Sequence, residues 1–303
     1  MNLLLASFYA DMIAHSPQFS AVFPGCPVDN APKFLEIIDR IHSFTDTRRV
    51  TQRITSICQQ PKSEGDRLVS WLLATFGSDF IEATYKSGLR IPGFGESVLQ
   101  FVLPRPVLAH RENFTKHLKN AQNESILLFH GTSTRHLQSI LRNGFIPAKD
   151  VRFGPGLFMA MEPELASRFA AFQLFDIFTE SELNYDSDDV RPDWEKLKPW
   201  SNSPFNAHGV LLGCQVAGMG RPVDDDEDNA DEGDVHVISQ LDSITIRYIF
   251  LLPATDPDEE ILDIFDDELP DRTEVEPAMT AAFKVIQKGI ESLALVDGEA
   301  GEV

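Results

Sequence analysis

Residues 125–144 read Ser-Ile-Leu-Leu-Phe-His-Gly-Thr-Ser-Thr-Arg-His-Leu-Gln-Ser-Ile-Leu-Arg-Asn-Gly. The unbroken apolar run 126–129 predicts a strand buried on both faces. It stops at His130-Gly131-Thr132, and a helix follows at once. Ser133 or Thr134 can cap its start, Leu137, Ile140 and Leu141 recur on one face, and Asn143-Gly144 supplies the left-handed residue that ends it. At the mouth of a buried strand, His-Gly-Thr sets an imidazole beside a backbone amide and carbonyl that no side chain shields. That combination suits a flat carboxamide and a sugar hydroxyl, because glycine holds nothing off the backbone.

Ahead of this stretch the pattern is helical to about residue 87. Leu3, Leu4, Phe8 and Met12 share a face, as do Phe34, Ile37, Ile38 and Ile41, and again Leu68, Trp71, Leu72 and Phe76. Ile91-Pro92-Gly93-Phe94-Gly95 reads as a hinge, and 97–103 as the first strand of a second domain.

Behind it comes Gly154-Pro155-Gly156, leading into the short apolar strand Leu157-Phe158-Met159-Ala160. Pro163 then opens a helix carrying Leu165, Ala166, Phe169 and Ala170. Residues 209–217 read as a strand, and 224–234, almost devoid of apolar side chains, as a solvated acidic loop. Strands are predicted at 235–238 and 244–252, the second with Ile244, Ile246, Tyr248, Phe250 and Leu252 alternating on one face. An acidic tract follows, then a helix in which Met279, Phe283, Ile286, Ile290 and Leu293 share a face that docks on the body by default.

With 303 residues, 43% of them hydrophobic, the chain can bury a substantial core and form two domains. Its net charge of -21 repels phosphate backbones, which disfavours a nucleic-acid partner. Cys26, Cys58 and Cys214 lie far apart, without metal-ligand spacing, and read as reduced packing residues of an intracellular protein. The apolar N-terminus lacks a basic leader and is broken by Asp11, and no apolar run approaches the roughly twenty residues of a membrane span. A soluble cytoplasmic or nuclear protein without membrane insertion is expected.

The strand, His-Gly-Thr and glycine-ended helix resemble the first NAD-binding element of the poly(ADP-ribose) polymerase (PARP) family. The 152–160 block resembles that family's Tyr-Gly-x-Gly-Ile-Tyr-Phe-Ala, and 209–217 its Gly-Leu-Ile-Leu-Leu-Gly-Glu-Val-Ala. Residues 66–73 resemble the end of the helical domain in the family's endoplasmic-reticulum-anchored, mono-ADP-ribosylating branch, whose terminal membrane helix has no counterpart here. The resemblance implies an α+β protein: a helical domain (1–90), a split antiparallel β-sandwich ADP-ribosyltransferase domain (95–254), and an acidic tail with an amphipathic helix (255–303). It implies NAD as co-substrate, with release of nicotinamide and transfer of ADP-ribose to an acceptor, a protein or the chain itself.

Roles carried over by the resemblance are specific. His130 bonds the adenosine-side ribose, the Gly131 backbone takes the carboxamide, and Thr132 orients His130 or that ribose. Gly156 belongs to the second block, Ala166 stands where many members carry a carboxamide-binding serine, and Phe169 stacks on nicotinamide. Phe158 stands where the family has its middle-triad tyrosine. Counting back without a gap from Arg247-Tyr248-Ile249-Phe250 puts Val235 at the catalytic glutamate's position, whereas a gap of one to three residues brings Glu232 or Asp234 close. With neither tyrosine nor glutamate, single ADP-ribose units are expected, not chains. Two alternatives stand beside this: a silent module binding NAD or ADP-ribose in the same fold, and an RNA 2′-phosphotransferase, against which the acidic charge argues.

Overall fold

Nine consecutive residues, Ser125–Ser133, form one strand, so the ladder continues through His130, Gly131 and Thr132 instead of stopping short of them. The computed structural model describes residues 25–40, 56, 59–76, 81–104, 111–147, 155–170, 209–218, 221–222, 235–252 and 269–299. The sequence readings at 3–12, Ile41, Cys58, Gly154, 224–234 (with Glu232 and Asp234) and the acidic tract after 253 lie outside those residues.

In chain order the elements are α1 (Ala31–Arg40), α2 (Glu64–Phe76), β1 (Ile81–Glu82), β2 (Leu99–Val102), α3 (Arg111–Asn120) and β3 (Ser125–Ser133). Then follow α4 (Thr134–Asn143), β4 (Leu157–Ala160), α5 (163–170), β5 (Gly209–Ala217), β6 (Arg221–Pro222), β7 (Val235–Ile238), β8 (Ile244–Leu251) and α6 (Arg272–Glu299). The eight strands form one sheet in the order β1-β2-β8-β5-β3-β4-β7-β6, every neighbouring pair antiparallel. Five strands on one side and three on the other meet between β3 and β4 at a single residue pair, Phe129 opposite Ala160.

Each face of the sheet carries its own core. On one, Phe34 and Ile38 of α1, Leu68 and Leu72 of α2, and Leu137 and Leu141 of α4 pack with Leu128, Leu212 and Ile249. The residues ahead of 90 therefore contribute directly to the sheet: the helices cover it, and β1 pairs with β2 at its edge. On the other face Phe129, Leu211, Tyr248 and Phe250 lie under Ala166 and Ala170 of α5 and under Val275, Met279 and Ile286 of α6. The C-terminal helix thus docks on the body, its first amide bonded to the Glu162 carboxylate at 2.9 Å. Among the described residues no helix is long and apolar enough to cross a membrane.

Three local expectations change. The single alternating face read for 244–252 is broken by a β-bulge. Gly213 pairs with Tyr248 and Cys214 with Ile246, which leaves Arg247 as the extra residue. Ile244 and Ile246 consequently join the first core, while Tyr248, Phe250 and Leu252 join the second. Gly144 closes α4 with φ 80° and ψ −173°, a conformation of glycine other than the expected left-handed helical one, its N–H bonded to Ile140 at 2.9 Å.

The 91–95 hinge is clamped. Phe94 stacks on Phe250 with ring centres 4.3 Å apart. The buried Gln100 side chain accepts from the Ile91 N–H at 2.8 Å and donates to the Ile91 carbonyl at 3.0 Å. Replacing Gln100 by alanine strands both backbone groups in the core, each costing about 1–3 kcal/mol. Chemical denaturation should therefore show Gln100→Ala less stable by about 2 kcal/mol or more, and an unchanged midpoint would contradict the clamp.

Candidate active site

Beyond the Phe129–Ala160 pair, β3 and β4 part, and a cavity of about 440 Å³ opens in the gap. His130, Gly131 and Thr132 reach it from β3, Gly156 and Phe158 from β4 and the residues before it, and Ala166 and Phe169 from α5. The sheet divides here because β3 keeps its ladder with β5 over all nine residues while β4 turns to pair with β7.

His130 is held from two sides. Its Nδ1 lies 3.0 Å from the Phe158 carbonyl oxygen, across the gap between the strands. A carbonyl only accepts, so Nδ1 carries the proton and Nε2 is left as an acceptor. The Phe145 ring meets the imidazole edge-on, with centroids 5.3 Å apart. Burial pushes the His130 pKa below its ordinary 6.5, against a smaller opposing effect of the bond to Phe158. The ring is therefore neutral at physiological pH and presents an acceptor to a hydroxyl donor.

That state has a pH signature. The folded value is depressed, so below 6.5 the unfolded chain binds more protons than the native one. The stability owed to the neutral ring is complete above the unfolded value and is lost as pH falls toward the folded one. Protonation also removes the Nε2 acceptor. Affinity for a hydroxyl-bearing ligand, measured by calorimetry, should hold steady from pH 8 to 7 and decline only in the acid range, below the ordinary histidine midpoint. A decline centred above pH 7 would contradict the neutral ring.

Gly131 is required for a reason different from the one read in sequence. A Cβ built on it would lie 1.9 Å from the Ala166 carbonyl oxygen and 2.6 Å from the Ala170 nitrogen. Its missing side chain admits the backbone of α5, and that close approach carries Phe169 to the cavity mouth. Gly156 is similarly pressed, with a Cβ 2.6 Å from a Val237 methyl. Phe169 is 45% exposed, so a large apolar ring at the rim has a face open to a ligand.

Val235 does not line this cavity. It opens β7 opposite Ala160, is buried, and packs with Val237 against Phe158 and Leu165. It shares the sheet face of Phe158 but offers no polar atom. Glu232 falls outside the described residues. Among the described residues no carboxylate lines the cavity.

His136 and Ser139 of α4, with Phe145 and Ile146 beyond it, also line the wall and were not singled out in sequence; Ile140, read there as part of the apolar face, lines it as well. Their signal was the i, i+3, i+4 spacing of 136, 139 and 140, which gives α4 a second, semi-polar face beside the one that Leu137 and Leu141 bury.

Residues 101–173 match the family model described as PARP, the poly(ADP-ribose) polymerase catalytic domain. The matched stretch begins within β2 and holds α3, β3, α4, β4 and α5, and with them the residues of the cavity wall; it ends before β7 and Val235. No curated protein matches the chain. The match spans 73 of the 303 residues, and over that stretch the chain is similar to the poly(ADP-ribose) polymerase catalytic domain.

Proposed function

We propose that the protein is a mono-ADP-ribosyltransferase that takes NAD, releases nicotinamide and attaches a single ADP-ribose to an acceptor, most simply a protein side chain or one of its own. The observation that carries the reading is the convergence of His130, Gly131, Phe158 and Phe169 on one cavity at the parting of two strands. Its volume falls within the range of small-molecule sites.

In this reading nicotinamide lies against Phe169 with its carboxamide at the Gly131 backbone, and Nε2 of neutral His130 accepts a ribose hydroxyl. The bond from ribose C1′ to the pyridinium nitrogen breaks, and its electron pair neutralises the ring as nicotinamide leaves. An acceptor nucleophile bonds to the oxocarbenium-like C1′ and gives up its proton to solvent. The chain's part is to orient and to exclude water, the main sources of rate in a substitution of this kind. Thr132, Gly156 and Ala166 shape the wall around these contacts. The likeness of residues 66–73 to the mono-ADP-ribosylating branch agrees with single-unit transfer.

Phe158 has no hydroxyl and Val235 no carboxylate to activate a second sugar. Incubation with labelled NAD should therefore label an acceptor in discrete single units, and ladders of polymer would overturn the assignment. The same two residues favour one rival, a silent module that holds NAD or ADP-ribose without cleaving it. Measuring nicotinamide release separately from NAD affinity distinguishes the two.

A further inference from the structure

The bulge in β8 turns Arg247 toward α6, at the opposite end of β3 from His130. Its Nε and Nη2 both donate to Gln215 Oε1, at 3.1 and 2.8 Å, and its guanidinium lies over the rings of Phe283 (5.0 Å) and Phe114 (5.8 Å). These partners are all neutral, and among the described residues no carboxylate forms an ion pair with Arg247. Burial lowers its pKa to about 10, which leaves it charged at neutral pH. A desolvated charge without a counter-charge is costly unless an anion completes it.

The guanidinium faces a second cavity of about 250 Å³, roofed by α6 and floored by β3, β5 and β8. Lys284 adds a second cation, and Ser125 and Thr280 add hydroxyls; Met279 and Phe283 form an apolar side. Glu276 also lines it, with one carboxylate oxygen 3.1 Å from the Arg272 Nε. Liquid water occupies about 30 Å³ per molecule, so the space holds about eight waters, more than a bare ion and less than a dinucleotide.

We propose that this cavity binds a small organic phosphate monoester, the phosphate between Arg247 and Lys284 and the organic part against Met279 and Phe283. A dianion with three acceptor oxygens matches two cations flanked by hydroxyl donors. The site is distinct from the nicotinamide cavity: the two linings share no residue, and along β3 they come from 125–127 and from 129–132.

Phenyl phosphate tests this by calorimetry on the full chain. It should bind at millimolar concentration or better, whereas phenol should not, and inorganic phosphate should bind more weakly. Arg247→Met should weaken binding at least about tenfold and Lys284→Ala several-fold, the loss of one charged hydrogen bond being worth about that much. His130→Ala should leave it unchanged. Absence of binding, binding indifferent to both cation variants, or binding lost with His130→Ala would overturn the proposal. Lys284 is exposed on α6, so Lys284→Ala with Thr280→Val keeps the test decisive should Arg247→Met fail to fold.

Discussion

Gly131→Ala is expected to lower the melting temperature by roughly 10 °C and to reduce nicotinamide release to background. The added Cβ would sit 1.9 Å from a carbonyl oxygen and 2.6 Å from an amide nitrogen, both in the backbone of α5. No rotamer change relieves a main-chain collision, so β3 and the helix must move apart. Overpacking of this kind costs about 3 kcal/mol, the upper part of the usual range. At about 2–4 °C per kcal/mol for a body of this size, that gives the stated shift.

The functional loss follows from the same movement. Phe169 rides on α5, and a displacement on the order of 1 Å is enough to cost about a hundredfold in rate where reacting groups must be aligned. Gly88→Ala is the control. Gly88 has φ +67°, yet nothing lies within 4 Å of its would-be Cβ. Only backbone strain of about 1 kcal/mol is at stake there. If Gly131→Ala were no more harmful than Gly88→Ala, the close approach of strand and helix could not be what fixes the cavity.

This glycine shows how far sequence reading reached. That 131 must be glycine was legible from its place after a buried apolar run; the reason was not. A motif read along one strand suggests an open backbone, whereas the restricting atoms belong to a helix more than thirty residues onward. The same limit applies at Arg247. Alternation across 244–252 has the period of a strand, but a bulge is set by the partner's register, and only pairing with β5 reveals it. The helices α1 and α2 were legible in their periodicity, while the core they share with the sheet depends on long-range contacts that periodicity does not encode. The cavity residues drawn from family-like motifs lie together because those motifs sit on adjacent elements. Val235, reached by counting back without a gap from 247–250, stands behind the wall instead of in it.

His130→Ala should reduce nicotinamide release about a hundredfold or more and weaken NAD about tenfold. Two contributions separate. Loss of the Nε2 acceptor removes one neutral hydrogen bond to a ribose hydroxyl, worth about 1–1.5 kcal/mol and hence about tenfold in affinity. Loss of the Nδ1 donor removes its 3.0 Å bond to the Phe158 carbonyl and with it a link across the gap between β3 and β4. That second loss bears on alignment more than on binding and accounts for the larger effect on release. His130→Gln divides the two: its amide can donate to Phe158 or accept from the ribose, but it does not span both positions as an imidazole does. It should recover more stability than activity. Assayed together, wild type, His130→Ala and His130→Gln also decide between enzyme and silent module. A wild-type protein that binds NAD, loses that affinity with His130→Ala and never releases nicotinamide would be a binding module, and release that survives His130→Ala would place the chemistry outside this cavity.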